Sequence, residues 1–399
     1  MELYVLDSLL RRTEVIDKFE TLVWTERFSE VGDFELDLKS TLENRRLFTK
    51  GTLLAINESY RVMKVETVED STKDTGETTL KITGFSIEDV LRNRVAKKSL
   101  SDTTTEPSWD FGIYEDFPQT LPVDIANAMF DHICRDGALD LTDKIPFLMP
   151  GSIFPASTIP EPTVPILWSQ SPDFLYNAMK AVLDPYTLGF RLVRNFDTSQ
   201  LYFDIYAGDD RTSRQTVLSP VIFSAALDNI QNTTEYTTVA GSKNVAYVFS
   251  PEGFKVVFGE NVDPDVEGFE RRVIVVNASD ITADTPDVDA AMLQRGLEEL
   301  NANRGQSLFD GEINQYSEYK YGVDYNLGDL VEMRNKDGII SYKRVTEQIF
   351  VSDEQGDRSY PTLYADIFAG ENDWLSYNTK PTVWLDYDAD STAWGDLTT

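Results

Sequence analysis

The only histidine in the chain, His132, lies two residues before the only cysteine, Cys134. Together they offer two soft metal ligands, whereas protein-bound zinc requires three or four donors. A serine-type triad would also have to use His132, and no nucleophile-elbow motif accompanies it. We therefore predict no metal site here and expect both residues on a helix near a core. A single cysteine also rules out an intrachain disulfide.

Carboxylates are the remaining source of chemistry, since the chain has 68 acidic residues. A glycosidase needs two carboxylates at a defined separation, but in so acidic a sequence pairs occur by chance throughout. The segment 386–390 has the Asp-x-Asp-x-Asp spacing that begins a calcium loop. Ser391 replaces the glycine of that loop, and Leu397 replaces its glutamate. Asp263 and Asp265 form a still weaker match. We predict no catalytic residue, no metal ligand and no cofactor.

Three tryptophans, Trp374, Trp384 and Trp394, recur every ten residues near the end of the sequence. One interpretation is a pair of strands that pack in a core. The other is a peptide arm that anchors on a neighbouring subunit, because tryptophan is enriched at binding hot spots.

Composition limits the class of protein. The 399 residues include 36 basic and 68 acidic ones, for a formal charge of −32. So acidic a surface repels nucleic acid and anionic membranes, which argues against a nucleic-acid reader. It indicates either high solubility or a surface that nucleic acid passes without binding. No apolar run approaches the roughly 20 residues of a membrane span, and the acidic N-terminal stretch lacks the pattern of a secretory signal.

Hydrophobic periodicity predicts a mainly β, α+β protein of several domains. Short alternating strands fill the first 83 residues and the segment 308–368, and a hairpin joins 188–193 to 201–206. The positions of proline and glycine predict a helix over 122–135 and a proline-rich arm over 144–168. Further helices are predicted over 86–91, from a cap at Ser171-Pro172-Asp173 to Asp184, and over 286–303.

The two β-rich blocks resemble each other. In each, a glycine-led strand (51–56 and 328–333) precedes a strand that begins Tyr-basic (from Tyr60 and from Tyr342). A polar acidic loop and a Thr-Leu strand follow in both. The order and spacing favour a duplicated β-barrel module over two unrelated hairpins, and a duplicated module indicates pseudo-symmetric ring assembly.

Three segments carry a resemblance to a known family: 24–36, 82–85 with the helix that follows, and above all 321–331. The last contains Asp324-Tyr325-Asn326-Leu327-Gly328-Asp329, in which we single out Asp324, Tyr325, Leu327, Gly328 and Asp329 as structural motif residues. The chain resembles the tail-tip or baseplate hub family of siphophages, which includes the N-terminal hub of tail-associated lysins and related minor tail proteins.

The resemblance implies two tube-type β-barrels per subunit, peripheral α+β domains and a homotrimeric ring. The predicted domains are 1–98 (first barrel), 99–217 (peripheral α+β), 218–248 with 306–370 (second barrel), 249–305 (second peripheral segment) and 371–399 (acidic Trp-containing arm).

The implied function is structural rather than enzymatic. Such a hub closes the distal end of the tail tube, supports host attachment and forms the channel for DNA ejection. Its implied partners are a distal tail protein hexamer, a tape-measure protein and receptor-binding or tip proteins, with DNA only in transit and no stable membrane insertion. The expected location is the virion tail tip, with assembly in the host cytoplasm. A carbohydrate-binding or carbohydrate-cleaving surface protein is the alternative that the residues leave open.

Overall fold

The structure, a computed structural model, describes residues 1–74, 76, 78–96, 115–135, 141–170, 172–259, 262–279, 281–283, 285, 287–313, 319–335 and 340–366. Within these residues the chain is mainly β, with few helices. The strands are β1 (Leu3–Leu6), β2 (Arg12–Ile16), β3 (Thr21–Arg27), β4 (Asp33–Lys39), β5 (Leu53–Ile56), β6 (Met63–Thr72), β7 (Thr78–Ser86), β8 (Val95–Ala96), β9 (Glu115–Thr120), β10 (Leu148–Met149), β11 (Ile166–Gln170), β12 (Asp173–Phe174), β13 (Gly189–Arg194), β14 (Leu201–Tyr206), β15 (Asp210–Arg211), β16 (Ile222–Ser224), β17 (Ile230–Thr238), β18 (Val245–Ser250), β19 (Gly253–Phe258), β20 (Val273–Asn277), β21 (Gln306–Ile313), β22 (Leu330–Arg334), β23 (Ile340–Asp353) and β24 (Gly356–Asp366).

The α-helices begin where the sequence satisfies their first N–H groups or needs no donor. They are α1 (Leu42–Leu47), α2 (Pro122–Cys134), α3 (Leu175–Leu183) and α4 (Val288–Ala302). Thr41 caps α1 by accepting from the N–H of Asn44 at 3.1 Å, and Asp287 caps α4 by accepting from Ala290 at 2.9 Å. In α2 the first residue is Pro122, whose missing N–H has no partner to lose there.

Two predicted helix boundaries differ from the structure. The segment predicted as a helix over 86–91 is a 3₁₀ helix, Ile87–Asn93. The helix predicted to be capped by Ser171-Pro172-Asp173 begins only at Leu175, because Asp173 and Phe174 form β12 and pair with β8. Tertiary strand pairing therefore overrides a local capping pattern there.

One large sheet contains both β-rich blocks. Its hydrogen-bonded order is β17-β21-β24-β23-β3-β4-β7-β6-β5-β1-β2, and β22 joins β23 to the short strands β15 and β16. The first block follows the order β3-β4-β7-β6-β5-β1, and the second follows β17-β21-β24-β23-β22-β16. The two blocks thus have the same strand order, and β3 of the first pairs with β23 of the second. Within the described residues the strand path is open at β17 and at β2.

Equivalent backbone hydrogen bonds fix the correspondence between the blocks. The N–H of Gly51 donates to the carbonyl of Val65 at 2.8 Å, and the N–H of Gly328 donates to the carbonyl of Val345 at 2.8 Å. The N–H of each valine returns a bond of 2.9 Å to the residue after the glycine. Val65 therefore corresponds to Val345, whereas aligning Tyr60 with Tyr342 pairs Val65 with Glu347. The alignment predicted from the sequence was offset by two residues.

The chain divides into two compact units. Unit 1 comprises 1–233, 310–331 and 344–363, and unit 2 comprises 234–309, 332–343 and 364–399. Unit 1 has one core inside the first β block, around Trp24, Phe34 and Leu36, and another around helices α2 and α3. In unit 2, α4 packs on the sheet β19-β18-β20 through Met292 and Leu300. The domain boundaries given above stay a prediction.

None of the described helices is long and apolar enough to cross a membrane.

Candidate assembly site

The motif singled out from the sequence forms the loop that leads into β22. Its first part closes on itself: the N–H of Gly322 donates to the carbonyl of Tyr325 at 2.9 Å, and Asp324 accepts from the N–H of Lys320 at 2.8 Å. Gly322 has φ +80°, a conformation that glycine adopts without strain. The loop is therefore a defined turn fixed by its own residues.

Tyr325 anchors this turn in the core. It is fully buried, and its ring lies edge-on to Phe223 and Tyr321 at centroid distances of 5.5 and 5.7 Å. Its hydroxyl donates to Oε1 of Gln348, on β23, at 3.1 Å. Burial raises the pKa of Tyr325 far above its usual value, so the hydroxyl acts as a neutral donor.

Asp329 ties the end of the motif to a distant segment. It is almost completely buried, and its two carboxylate oxygens accept from the N–H groups of Asn326 and Asp209, both at 2.8 Å. Burial raises the pKa of Asp329 to about 6, although the two N–H donors and Arg211, 3.9 Å away, oppose the shift. This residue joins the motif to Asp209, which lies 120 positions earlier and directly before β15.

Gly328 allows a close approach that no other residue would permit. Its φ is +91°, and a Cβ atom there would lie 2.6 Å from the ring of Phe28 and 3.0 Å from that of Tyr206. On its other side Gly208 packs against its carbonyl. The guanidinium of Arg344 donates to the carbonyls of both Gly328 and Ala207. The neighbouring Leu327 is buried as well.

Tyr321, just before the motif, connects the loop to β3. Its hydroxyl donates to Glu26 at 3.1 Å, and the indole N–H of Trp24 donates to the other oxygen of the same carboxylate at 3.1 Å. Burial raises the pKa of Glu26, and the nearby Arg61 guanidinium opposes the rise. These contacts make the motif a structural joint between β3, the segment that begins β15, and β23.

The pairing of β3 with β23 continues that joint. The register runs antiparallel from Leu22 opposite Ser352 to Arg27 opposite Glu347. The guanidinium of Arg27 contacts the Glu347 carboxylate at 2.9 Å, and the N–H of Phe28 donates to the carbonyl of Thr346 at 2.8 Å. The first and second β blocks are thus hydrogen-bonded side by side within one chain.

One side of β6 pairs with a described strand over only part of its length. On the β5 side of β6, pairing stops at Lys64, and the backbone bonds to the Gly51–Thr52 turn stop at Val65. Residues 67–72 pair with β7, and the register shifts between Val65 and Thr67. At the other end of the sheet, β17 is the terminal strand beyond β21.

The sequence analysis singled out the five residues as a structural motif, and that role stays a prediction. The sequence gave no sign of their partners Phe28, Asp209 and Gln348, which lie far away in the chain. The pair Gly328-Asp329 was the one local signal of a tight joint in the sequence. In the structure Gly328 is left-handed and Asp329 is buried.

The other residues that the sequence analysis considered for catalysis, metal binding or partner binding lie outside this loop. Cys134 is buried on α2, and burial raises the pKa of its thiol to about 12, the opposite of a reactive thiolate. Asp263 accepts from the N–H of Asp265 at 2.9 Å in an exposed turn. In the part of the chain that the structure describes, no group of three or more His, Cys, Asp or Glu side chains is arranged to hold a metal ion. Trp374, Trp384, Trp394 and the segment 386–390 lie outside the described residues.

Comparison with solved structures identifies proteins of similar architecture. Among solved structures, the tail protein from Neisseria meningitidis MC58 superposes with a TM-score of 0.55 at 12% identity, over 92% of this chain and 96% of that one. The 43 kDa tail protein of prophage MuSo2 from Shewanella oneidensis gives 0.52 at 11% identity, over 91% and 97%. At such identities the likeness shows the fold alone.

No curated protein matches the sequence. The profile of the family described as siphovirus ReqiPepy6 Gp37-like protein matches residues 2–363. The chain therefore belongs to the siphovirus ReqiPepy6 Gp37-like family and has the fold of phage tail proteins, which confirms the family resemblance predicted from its sequence.

Proposed function

We propose that the chain is the hub subunit of a siphophage tail tip. In this proposal three copies form a ring that closes the distal end of the tail tube, docks on the distal tail protein hexamer and opens as the channel for DNA ejection. Tape-measure and receptor-binding or tip proteins contact the same ring. The role is structural and requires no catalytic residue or cofactor.

The observation that carries the proposal is the repeated strand order within one sheet. The first block, from β3 to β1, and the second, from β17 to β16, present the same neighbours in the same sequence. A chain with two equivalent modules occupies two successive positions of a ring, so three chains supply six. Such a pseudo-sixfold ring matches the sixfold tail tube on one side, and its threefold axis remains available to the tip proteins on the other side. Closure of each module into a tube-type barrel is part of the proposal.

The charge of the chain is compatible with a channel for DNA. DNA carries about one negative charge per 1.7 Å of axis, and a basic lumen would retain it by counterion release. A subunit with a formal charge of −32 offers a surface along which DNA passes without being held. The tryptophan-containing arm, with Trp374, Trp384 and Trp394, is proposed as a contact to a neighbouring subunit or tip protein.

Oligomeric mass tests this function directly. Multi-angle light scattering of the full chain should give three times its 45.2 kDa, and electron microscopy should show rings with six similar lobes. The purified distal tail protein hexamer should bind these rings and not a monomeric fraction. A chain that stays monomeric or dimeric at all concentrations, or rings without six lobes, would refute the hub assignment. Zymography on cell walls and polysaccharides should be blank. Lysis abolished by one Asp or Glu substitution would favour the carbohydrate-cleaving alternative.

A further inference from the structure

We infer that one face of the three-stranded sheet β19-β18-β20 receives the tryptophan-containing arm (371–399) of a neighbouring copy. The inference rests on the proposed function, which gives the arm a contact to a neighbouring subunit or tip protein. It deepens that function by naming the surface that receives the arm and by choosing the subunit. The surface belongs entirely to unit 2.

The other face of this sheet is covered by α4. Ala246, Val248 and Val257 point to that side and share a core with Met292 of the helix. The helix lies so close that a Cβ atom on Gly296 would be 2.6 Å from the Val257 side chain. Side chains alternate between the two faces of a strand, so the residues between these point away from α4. We call that side the outer face, and its residues are Val245, Tyr247, Phe249, Phe254, Val256, Phe258, Val273, Val275 and Asn277.

The outer face is apolar although large parts of it are accessible to solvent. Eight of its nine side chains are aromatic or aliphatic, and Asn277 is the exception. Phe249 is 46% exposed, Phe254 is 67% exposed and Val275 is 69% exposed. Phe249 and Phe254 are paired across the hairpin of β18 and β19, and their rings stack at 6.0 Å. Contiguous apolar surface of this kind marks an interaction site.

Charge distinguishes the outer face from the chain as a whole. None of its nine residues is acidic, in a protein that has 68 acidic residues. Arg271 lies at its border, where the guanidinium donates to the hydroxyl of Tyr247 at 3.2 Å and lies 5.8 Å from the centre of the Phe258 ring. With the bond to the carbonyl of Val266, these contacts engage two of the five N–H donors of a guanidinium. The remaining donors suit a carboxylate, so the face fits an apolar partner that carries negative charge.

The arm has that composition. It contains five aromatic residues, three of them tryptophans, and six acidic residues against one lysine. Each tryptophan has an aspartate within two positions along the chain, as in Trp384 and Asp386. Tryptophan rings suit the apolar surface, and the adjacent aspartates suit the guanidinium of Arg271.

The arm is long enough to reach another copy. It begins five residues after Asp366, where β24 ends. An extended chain spans at most about 3.6 Å per residue, so Trp384 can lie up to about 65 Å from Asp366. That distance exceeds the diameter of a small domain, which is roughly 30 Å.

Cross-linking between two single-cysteine variants of the full chain tests the contact. Val275→Cys lies on the outer face, and Thr382→Cys lies in the arm, two residues before Trp384. The native Cys134 is buried and stays unreactive. Co-expression of the two variants, followed by treatment with a short flexible bismaleimide, should give a product with the mass of two chains.

The matched control is Leu293→Cys, which lies on α4, at the covered side of the same sheet, and is 41% exposed. Co-expressed with Thr382→Cys, it should give at most a trace of product, because the inferred contact is on the opposite side of the sheet. Equal products from Val275→Cys and Leu293→Cys would indicate random collisions and overturn the inference.

A charge placed on the outer face gives a second measurement. Adding Phe254→Asp to Val275→Cys replaces an exposed ring by a carboxylate, which should repel the acidic arm and lower the yield of the two-chain product at least about tenfold. Adding Phe254→Leu keeps the face apolar and should retain most of the product. Both variants should keep the urea midpoint of the parent, since the Phe254 side chain is exposed. An unchanged yield with Phe254→Asp would contradict the inference.

Other occupants of the outer face would give different products. A product of Val275→Cys with itself would place two outer faces together. A double variant, Val275→Cys with Thr382→Cys, that cross-links only within one chain would place the arm on its own sheet. A chain that trimerises but gives no product with Thr382→Cys would leave the face to a tip protein.

Each of these three results would overturn the inference and leave the proposed ring intact. A chain that never trimerises in light scattering would refute both, so the two failures are distinguishable.

Discussion

Replacing Gly328 by alanine should destabilise unit 1 by several kcal/mol, although the change adds one methyl group. The residue lies at φ +91°, and the new Cβ would be 2.6 Å from the Phe28 ring. Real Cβ atoms do not approach other heavy atoms so closely, so the ring or the loop has to move. Phe28 and Tyr206 are both almost completely buried, which leaves little room for that movement.

Two contributions set the magnitude. A non-glycine residue in the left-handed region costs about 1–3 kcal/mol. Overpacking a buried site adds about 1–3 kcal/mol. Gly328→Ala should therefore lower the free energy of unfolding by about 2–6 kcal/mol. Gly322→Ala is the matched control, since Gly322 has φ +80° in the same loop and no atom within 4 Å of an added Cβ. It should cost only the backbone contribution, about 1–3 kcal/mol.

Urea denaturation followed by tryptophan fluorescence measures both variants, because Trp24 is fully buried in unit 1. The midpoint of Gly328→Ala should lie clearly below that of Gly322→Ala, with a similar slope. Equal losses in the two variants would show that the contact with Phe28 costs nothing and that the joint is looser than its geometry indicates.

Three other substitutions and one change of solvent follow from the same contacts. Tyr325→Phe should lower the free energy of unfolding by about 1–3 kcal/mol in the same assay, because buried Gln348 loses its donor; an unchanged midpoint would contradict this. Asp329→Asn should cost about 1–3 kcal/mol at pH 7, since the amide oxygen can serve only one of the two N–H groups. Burial raises the pKa of Glu298 to about 7, although the hydrogen bond that Gln294 donates to its carboxylate opposes the rise. The neutral carboxyl therefore contributes stability that is fully present below pH 4.5 and is lost as the pH rises to 7. Glu298→Gln should therefore lose less stability than the parent over that range, as measured by urea midpoints at several pH values; parallel pH profiles would count against it. Finally, association should strengthen between 50 and about 300 mM salt in light scattering, because screening weakens repulsion between chains of formal charge −32.

The sequence predicted elements best where a local pattern coincides with the final environment. The alternation in 188–193 and 201–206 matches the hairpin of β13 and β14, and Pro122 marks the first residue of α2. Helix α1 was not predicted, because its six residues include no buried side chain and so show no amphipathic pattern.

The repeat and the motif were recognised from the sequence, but their meaning depends on distant contacts. Gly328 reads locally as a turn glycine, and only the fold brings Phe28 against it. The two-residue offset between the blocks has the same origin. Tyr60 and Tyr342 are similar in sequence, whereas the hydrogen bonds of Gly51 and Gly328 determine which residues correspond. A single sequence does not encode these pairings in any local pattern.

The junction of β3 with β23 also constrains how the protein is made. Residues 22–27 pair with residues 347–352, so β3 leaves the ribosome long before its partner strand exists. At about 5–20 residues per second, the delay is roughly 15–65 s. During that time the side of β3 that β23 will cover is an unpaired strand edge, which is a risk for aggregation. The central sheet is therefore completed only after residues 347–352 have been synthesised, and folding should be slow and dominated by this long-range closure.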